Sequence, residues 1–282
     1  MAYMDYTTAD PRNNELLAAL PSDELQRWLP HLELVAMPAG MSLYHAGEHP
    51  KHVYFPTTAC VSIQHLTMAG ACGEIAAIGR DGMVGVQIIM GGGSTSGNAV
   101  VRAGGHGLRM SSTHMQAEFS RSEAVMRLLL LYVQALMTQT AQTALCSLQH
   151  CLEQRLCRCL LTSLDRTRGP KLTITHECLA SLLGVRREGV TTAAFKLQRA
   201  GVIEYARGQM VVLDRAGLED RSCECYGVVK DEYQRLLPQR PNLQKSVPTL
   251  PEPVWPNGRP FIPAPLLASG ARNPVQHTRM AG

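Results

Sequence analysis

The hydrophobic pattern of the chain changes character along its length, and each change predicts a different kind of secondary structure. Between residues 15 and 29 apolar side chains recur at helical spacing, but Pro21 interrupts them, which predicts two short helices. From residue 32 to residue 110, short apolar and alternating segments such as HVYFPTTACVSIQHL and CGEIAAIG are separated by glycines. This spacing predicts a small β-barrel or β-sandwich.

Residues 112–165 are expected to be almost continuously helical, because they contain neither proline nor glycine and are rich in good helix formers. A helix from Ser122 to Leu148 would be about 40 Å long. One stripe of side chains along this helix is apolar in its N-terminal part and small in its C-terminal part, and it would stay exposed on a solitary helix. The stripe is formed by Leu130, Val133, Met137, Thr140 and Ala144. We predict that it is the seam of a homodimer; the alternative is that it packs wholly on its own barrel.

The segment that begins LTITHECLASLLGV predicts two further helices in succession. Thr175 can cap the first of them, since a threonine hydroxyl accepts from a free backbone amide at a helix start. Gly184 should end that helix, because glycine readily adopts the left-handed conformation common at helix ends. The second helix is predicted over Arg187–Arg199, with Val190 and Leu197 on its inner face.

Cationic and short polar side chains occupy the outer face of this second predicted helix. Two strands follow, at residues 202–205 and 210–213, joined by a turn at residues 206–208. Helix, turn, helix and hairpin in this order predict a winged helix-turn-helix that binds duplex DNA. An ordinary helical hairpin with a solvated basic face predicts neither the glycine nor the paired arginines. The candidate DNA contacts are Thr175, Arg186, Arg187, Glu188, Thr191, Thr192, Lys196 and Arg207.

The charge of the chain is concentrated locally rather than spread evenly. At 282 residues the chain has room for two domains, and its composition, 45% hydrophobic and 18% charged, is ordinary. The net charge is only +4. From Lys171 to Arg215, however, seven Lys and Arg residues face four acidic ones. A basic patch of this kind attracts phosphate groups more effectively than the overall charge suggests.

The two ends of the chain and its cysteines bear on where the protein works. The first residues show no cationic and apolar signal pattern, and no uninterrupted apolar run reaches about 18 residues. We therefore expect a cytoplasmic protein without a membrane partner, whose nine cysteines are reduced. Residues 1–14 are expected to form a mobile arm. Ten prolines among residues 238–282 predict a disordered or extended tail.

Placed in order, these parts resemble the Crp/Fnr superfamily of bacterial transcription regulators. The resemblance covers roughly residues 15–225 and is strongest at ITHECLASLLGVRREGVTTAAFKLQRAGVI and at EIAAIGRDGMVGV. It implies an α+β chain with a cyclic-nucleotide-binding-like β-roll at 15–121 and a dimerisation helix at 122–150. A winged helix-turn-helix at 151–225 would follow, and then a short helix and the Pro-rich tail at 226–282.

The same resemblance implies a non-enzymatic function. The chain would be a sequence-specific DNA-binding transcription regulator, a homodimer on a pseudo-palindromic operator. Its partners would be double-stranded DNA, a second copy of itself and, for an activator, RNA polymerase. Two alternatives stay open: a protein-interaction module with a vestigial sensor, and a thiol-based redox-sensing regulator.

The effector region departs from the cyclic-nucleotide-binding pattern of the superfamily. Members that bind cyclic nucleotides carry a Gly-Glu pair for the ribose, and this chain has Gly82 and Met83 at those positions. Such members also carry an arginine and a hydroxyl residue for the phosphate, and this chain has Gly97 and Asn98 there. A buried cyclic phosphate without a guanidinium would be poorly compensated. Arg102 lies nearby, but its strand gives no reason for it to point inward. These five residues are the candidate effector pocket, and we expect it not to bind cyclic AMP.

The second helix also departs from the family at one position. Arg187 and Glu188 match the family's Arg-Glu pair, in which the arginine holds a phosphate and the carboxylate accepts from a cytosine amino group. Thr192 stands where the family usually has an arginine that reads guanine, so the preferred half-site should differ. Arg186 is a candidate for part of that role.

No cofactor, metal site or catalytic set is implied by the sequence. No cysteine precedes Cys60, so the N-terminal iron–sulfur cluster of some family members does not carry over. Neighbouring cysteines of the helical region point about 140° to 200° apart and are interpreted as small buried apolar residues. They are Cys146, Cys151, Cys157 and Cys159. Cys223 and Cys225 are the better candidates for redox chemistry.

Overall fold

The structure is a computed structural model that describes residues 10–167 and 171–237. Most of the predicted N-terminal arm and the whole Pro-rich tail therefore lie outside the described residues. The described chain mixes helices with three antiparallel sheets, so the predicted α+β class is confirmed. A β domain comes first, a long helix follows it, and a smaller domain of helices and a three-stranded sheet completes the described chain.

Two short helices open the β domain, as the break at Pro21 predicts. They are α1 (Glu15–Ala18) and α2 (Ser22–Trp28). The side chain of Asn14 accepts from the Leu17 amide at the start of α1 and donates to the carbonyls of Pro56 and Gly82, 2.9 and 2.8 Å away. Asn14 is fully buried, so the expectation that the mobile arm reaches residue 14 is wrong.

Seven strands form the β domain in two antiparallel sheets, which confirms the β-roll prediction. Their order is β1-β7-β3 in one sheet and β2-β6-β4-β5 in the other. Trp28 and Phe55 are fully buried in the core that joins the helices to the first sheet. The strands are β1 (Glu33–Met37), β2 (Ser42–Tyr44), β3 (His52–Pro56), β4 (Cys60–Leu66), β5 (Cys72–Ile78), β6 (Asn98–Ala103) and β7 (Gly105–Ser111).

Three helices occupy the stretch for which an almost continuous helix was expected. They are α3 (Ser112–Arg121), α4 (Glu123–Gln149) and α5 (Leu152–Arg166). The first break falls at Ser122, whose extended backbone lets its hydroxyl accept from the Val125 amide and donate to Glu24. The second break falls at His150 and Cys151, which are both extended. Capping at both sites replaces helical hydrogen bonds, which residue composition alone does not reveal.

The long helix α4 has one buried and one exposed face. Its 27 residues correspond to about 40 Å. Leu129, Tyr132 and Ala135 are fully buried against the rest of the chain. By length and mean hydropathy (1.2) the helix could cross a membrane, but core helices of soluble proteins meet the same criterion. The helix is apolar because one of its faces packs in the core and the opposite face carries an exposed apolar stripe.

The C-terminal domain adds a third sheet to a set of helices. Strand β8 (Lys171–Thr173), which the sequence pattern did not predict, pairs with the hairpin in the order β8-β10-β9. The last helix packs back on α4, where the Tyr233 hydroxyl donates to Gln139 at 3.0 Å. The other elements are α6 (His176–Leu183), α7 (Arg187–Arg199), β9 (Ile203–Ala206), β10 (Gln209–Val212), α8 (Arg215–Asp220) and α9 (Cys225–Leu236).

Candidate nucleic-acid interface

Helix α7 has the bounds and the inner face that the sequence predicts. Val190 and Leu197 are fully buried in a core shared with α5, α6 and the third sheet, and Ala194 is nearly so. The opposite face is open to solvent. All eight predicted DNA contacts are exposed, which gives phosphate and base-edge groups free access to them.

Two local signals set the angle at which α7 follows α6. The hydroxyl of Thr175 accepts from the Cys178 amide at 3.1 Å, so α6 begins where predicted. Gly184 ends α6 in the left-handed conformation, with φ 63° and ψ 40°. A side chain is strained at that φ, so the glycine makes the sharp turn into α7 possible.

The wing is a tighter hairpin than expected. Strands β9 and β10 pair at Ala206 and Gln209, which leaves the two-residue turn Arg207–Gly208 instead of the predicted three-residue turn. Both turn residues have positive φ, 51° and 77°. Turns with φ > 0 at both central residues match the twist of the flanking strands. Arg207 is therefore held at the exposed tip of a short, well-defined wing.

The hydroxyl groups of the two threonines of α7 donate hydrogen bonds to backbone carbonyls of the same helix. Thr191 donates to the Arg187 carbonyl at 3.1 Å, and Thr192 donates to the Glu188 carbonyl at 3.0 Å. Their oxygens and methyl groups stay on the exposed face. They can accept hydrogen bonds and contact apolar base edges, but they cannot make a bidentate contact to guanine.

His176, which sequence reasoning missed, links α6, α7 and the wing. Its Nδ1 atom lies 3.1 Å from the Thr191 hydroxyl, and its ring stacks on Tyr205 with centroids 4.1 Å apart. Burial lowers the pKa of His176, and the neighbouring Arg187 guanidinium lowers it further. The imidazole is therefore neutral at physiological pH and orients Thr191.

Phe195 is a second residue that sequence reasoning missed. It is 60% exposed although it is aromatic, and the Arg199 guanidinium lies 5.9 Å from its ring centroid. Phe195 follows Glu188 by seven residues, so both lie on the same face of α7. The seven-residue spacing in the sequence could therefore have predicted that Phe195 shares the outer face of α7. The pair extends the exposed face of α7 by an apolar surface and a further cation.

Lys196 lies at the edge of this face rather than at its centre. Its ammonium group is 3.8 Å from a carboxylate oxygen of Glu153 on α5. The lysine side chain is largely exposed, so this pair contributes little to stability. Lys196 can therefore leave Glu153 to contact a phosphate.

The five predicted effector residues contact different parts of the molecule instead of lining one pocket. Met83 is fully buried in the apolar core, and its carbonyl accepts from the Tyr132 hydroxyl at 2.8 Å. A Cβ atom on Gly82 would clash with the same hydroxyl. Tyr132 of α4 thus fills the space beside Gly82 and Met83.

The other three predicted effector residues have protein partners as well. The Asn98 amide oxygen accepts from the Ala46 amide, and Gly97 lies against His65. The expectation that Arg102 has no reason to point inward is wrong. Its guanidinium is buried, pairs with Glu74 at 2.9 Å and donates to Ser163 of α5. Arg102 therefore connects the β domain to α5.

The GRDG segment of the sequence is a contact between the two domains. A Cβ atom on Gly79 would lie 2.5 Å from the Cβ of Arg166, which places the loop directly on α5. Asp81 pairs with the buried Arg166 guanidinium at 2.8 Å. Arg166 also donates to Gln139 of α4 at 2.9 Å. The loop is therefore linked to the long helix α4 and to the C-terminal domain at once.

A cavity of about 860 Å³ lies beside this contact, where the β domain meets α4, α5 and α9. Its walls include none of the five predicted effector residues. They carry several cations and two tyrosines. The charged lining residues are Arg12, Glu15, Glu74, Arg80, Asp81, Arg155, Arg158, Asp165, Arg166, Arg215 and Lys230, seven cations and four anions.

Only part of the predicted dimer seam is exposed to solvent in this chain. Leu130 and Met137 are 50% and 66% exposed although both are large and apolar, and Ala144 is exposed too. Val133 is buried in the core of its own protomer, and the Thr140 hydroxyl donates to the Leu136 carbonyl. Leu148, which was not predicted, extends the exposed stripe by another turn.

Comparisons with known proteins agree with this geometry. Residues 154–221 match the family model of the Crp-like helix-turn-helix domain. A search of curated protein sequences found no match. FixK2 from Bradyrhizobium japonicum has a similar structure, with 15% identity over 68% of this chain and 98% of that one, and a TM-score of 0.55.

Two further solved structures are similar to the same extent. CLP from Xanthomonas campestris, a c-di-GMP responsive global regulator, is 17% identical over 68% of this chain and 99% of its own, with a TM-score of 0.55. TTHA1359, a CRP/FNR family transcriptional regulator from Thermus thermophilus, is 19% identical over 67% and 98%, with a TM-score of 0.55. The chain therefore carries a Crp-like helix-turn-helix domain and has the fold of the Crp/Fnr regulators.

Proposed function

We propose that this chain is a sequence-specific DNA-binding transcription regulator that acts as a homodimer on a pseudo-palindromic operator. The observation that carries the proposal is the exposed face of α7 beside the Arg207 wing. Two arginines, a carboxylate and two threonines are exposed at the start and on the outer face of one helix, whose opposite face is fixed in a core. Proteins of this architecture place such a helix in the major groove.

The roles of the α7 residues follow from their chemistry. Arg187 at the start of α7, with Arg207 at the wing tip, would contact phosphates and fix the register of the helix on the duplex, and Arg186 would take part of the guanine reading that Thr192 cannot perform. Glu188 would accept from a cytosine amino group, and the methyl groups of Thr191 and Thr192 would contact thymine. In this proposal the bases would be read by direct hydrogen bonds and apolar contacts at their edges.

Dimerisation through α4 would supply the second half-site. The exposed residues Leu130, Met137, Ala144 and Leu148 recur at intervals of seven and four, which is the spacing of a two-stranded coiled coil. A second copy of this chain is the occupant that fits, because the same stripe on both copies is self-complementary about a two-fold axis. The two α7 helices would then read half-sites about 34 Å apart.

The β domain would report its state to α7 through the GRDG loop. Asp81 and Arg166 join the loop to the end of α5, and α5 packs on α7 in one core. A change in the β domain that moved this loop would therefore shift the DNA-binding helices directly. The function of the β domain in this proposal is sensing or scaffolding, with the effector unassigned.

Arg187→Ala and Glu188→Ala should act differently on DNA binding. The arginine variant should weaken binding to all duplexes and reduce the slope of log affinity against log salt by about one. The glutamate variant should instead lose about 1–3 kcal/mol of discrimination at one base pair. Fluorescence anisotropy titrations on operator and random duplexes over a salt series measure both quantities.

The matched control for the loss of a cation is Lys51→Ala, an exposed residue of the β domain. It changes the net charge as Arg187→Ala does and should leave affinity and salt slope unchanged. If Glu188→Ala weakened operator and random DNA equally, Glu188 would not read a base. If all three variants behaved like wild type, α7 would not be the DNA-binding surface.

Cyclic AMP should neither raise the melting temperature nor change DNA affinity. By the family resemblance Met83 would stand where a glutamate holds the ribose, and it is buried in the apolar core, while the buried Arg102 is already paired with Glu74. A ligand at about 100 times its Kd would add roughly 2.7 kcal/mol to the stability of the folded state. Thermal unfolding with and without millimolar cyclic AMP would detect such a gain. Stabilisation with a micromolar midpoint would contradict the expectation.

A further inference from the structure

Four side chains that are distant in sequence meet beside the C-terminal end of α4. They are Cys146 and His150, which belong to α4 and its cap, and Cys223 and Cys225, which flank the start of α9. One ligand atom from each lies within 4.8 Å of the other three. Cys146 and His150 are four residues apart and therefore share one helix face. The DNA-binding proposal makes no use of this cluster.

The spacing of the ligand atoms matches a small tetrahedral site. Zinc bound to thiolates at about 2.3 Å and to imidazole at about 2.0 Å has ligand atoms roughly 3.5–3.8 Å apart. The Sγ atoms of Cys146 and Cys223 are 3.5 Å apart. The Sγ atom of Cys225 is 3.6 Å from Nδ1 of His150. Small movements of the remaining pairs would complete the tetrahedron.

Burial and charge around the cluster also suit a metal ion. Cys146, Cys223 and Cys225 form a buried group of their own, separate from the apolar cores of the two domains. The Arg158 guanidinium lies close to this group, since it donates to the Thr143 hydroxyl, three residues before Cys146 on α4. Thiolate is the metal-binding form of cysteine. Three thiolates around a divalent cation leave one negative charge, which Arg158 can balance.

The histidine of the cluster is oriented as a metal ligand would be. Its Nδ1 atom faces the thiols, and its Nε2 atom lies 3.2 Å from a carboxylate oxygen of Glu224. Metal-binding histidines usually donate their other ring N–H to a carboxylate or carbonyl group, which fixes the ring and its tautomer. Glu224 lies between the two cysteines of the second ligand pair, so one short segment supplies two ligands and the orienting group.

We propose that Cys146, His150, Cys223 and Cys225 form a structural zinc site. Closed tetrahedral sites with three cysteines and one histidine are a standard structural zinc environment, and soft thiolates favour zinc over magnesium or calcium. The sequence missed the site because the two ligand pairs are more than seventy residues apart. The spacing of Cys146 and His150 on one helix face was the available signal.

The place of the site in the fold gives the metal a mechanical role. Its four ligands bracket the Crp-like helix-turn-helix domain at residues 154–221, two before it and two after it. His150 also stands at the break between α4 and α5. A bound ion would therefore fix the start of α9 against the end of α4 and hold the break in one conformation. The DNA-binding domain would be anchored to the dimerisation helix at both of its ends.

Metal analysis of the full-length protein tests the proposal directly. Protein purified under reducing conditions, loaded with zinc and passed through a desalting column should retain one zinc ion per protomer by mass spectrometry. Replacement of zinc by cobalt should give the intense visible absorption of a tetrahedral cobalt–thiolate site. Wild-type protein that retains no zinc and gives no such cobalt spectrum would overturn the proposal.

Single substitutions distinguish this site from adventitious metal binding. Cys225→Ser and His150→Gln should each lose the cobalt spectrum or weaken zinc retention at least tenfold. The matched control is Cys151→Ser, because Cys151 is exposed, adjoins His150 and is absent from the cluster. Zinc retained equally by wild type and both ligand variants would place the metal elsewhere and overturn the assignment.

A second measurement keeps the test valid if a variant fails to fold. In wild-type protein, zinc should protect three thiols from a thiol reagent, and a chelator should expose them. Mass spectrometry of the trapped peptides should identify Cys146, Cys223 and Cys225. A Cys146–Cys223 disulfide formed on mild oxidation, with no zinc-dependent protection, would instead support a thiol redox switch and contradict the zinc site.

Discussion

Replacing Leu130 and Met137 by glutamate is expected to convert the protein into a monomer and to weaken operator binding by roughly 100-fold or more. Both side chains are exposed on the protomer, so the substitutions leave its own core intact. In a dimer they would place like charges in a desolvated seam. Binding of the second half-site would then no longer be intramolecular. Sedimentation velocity measures the oligomeric state, and anisotropy titration measures the affinity.

The chain offers a control with the same residue types. Leu66 and Met68 are exposed at and beside the turn between β4 and β5, outside the predicted seam. Leu66→Glu with Met68→Glu introduces the same chemical change and should leave the dimer intact in sedimentation velocity. The control applies to the oligomeric state alone, because Leu66 pairs with Cys72, whose carbonyl lies against Gly184 beside α7. A folded α4 variant that stayed dimeric would show that the seam lies elsewhere. Equal monomerisation of both double variants would point to a general effect of charge.

Asp81→Asn should cause the largest loss of stability among single substitutions in the interdomain contact. The asparagine keeps the size and one acceptor oxygen of Asp81, but it leaves the buried Arg166 guanidinium without a neutralising anion. Removing one partner of a buried ion pair costs about 3–5 kcal/mol. Since Asp81 is itself partly exposed, we expect the lower end of that range. The melting temperature should fall by about 6–12 °C in calorimetry.

An exposed ion pair provides the comparison for this variant. Glu33 pairs with Arg109 at 2.8 Å on the surface of the β domain. Glu33→Gln removes the same charge from a solvated pair and should leave the melting temperature nearly unchanged. If the two variants lost the same small amount of stability, the Asp81–Arg166 pair would not hold the two domains together.

Local signals explain why the DNA-binding helices were predictable from the sequence. Thr175, Gly184 and the apolar spacing of α7 each act within a few residues, and each produced the predicted structure. Both strands of the wing are shifted by one residue from their predicted bounds, because β9 and β10 pair up to Ala206 and Gln209 and leave a turn of two residues. Strand β8 was not predicted, since three residues carry too little pattern of their own.

The remaining differences come from contacts between distant segments. Gly82 and Met83 were assigned to a pocket by analogy, but Tyr132 of α4 occupies that space. Arg102 points inward because its guanidinium donates hydrogen bonds to Glu74 and Ser163. Spacing along one strand or helix contains no information about such partners. The cluster of Cys146 with Cys225 was missed for the same reason.

Selection of binding sites from a random DNA library by the full-length protein tests the central claim most directly. A homodimer that reads bases through α7 should enrich a two-fold symmetric motif with half-site centres about 10 base pairs apart. The Glu188→Ala variant should enrich a related motif that is relaxed at one position in each half-site. Enrichment of no motif, or of one without two-fold symmetry, would contradict the claim that this chain is a dimeric, sequence-specific DNA-binding regulator.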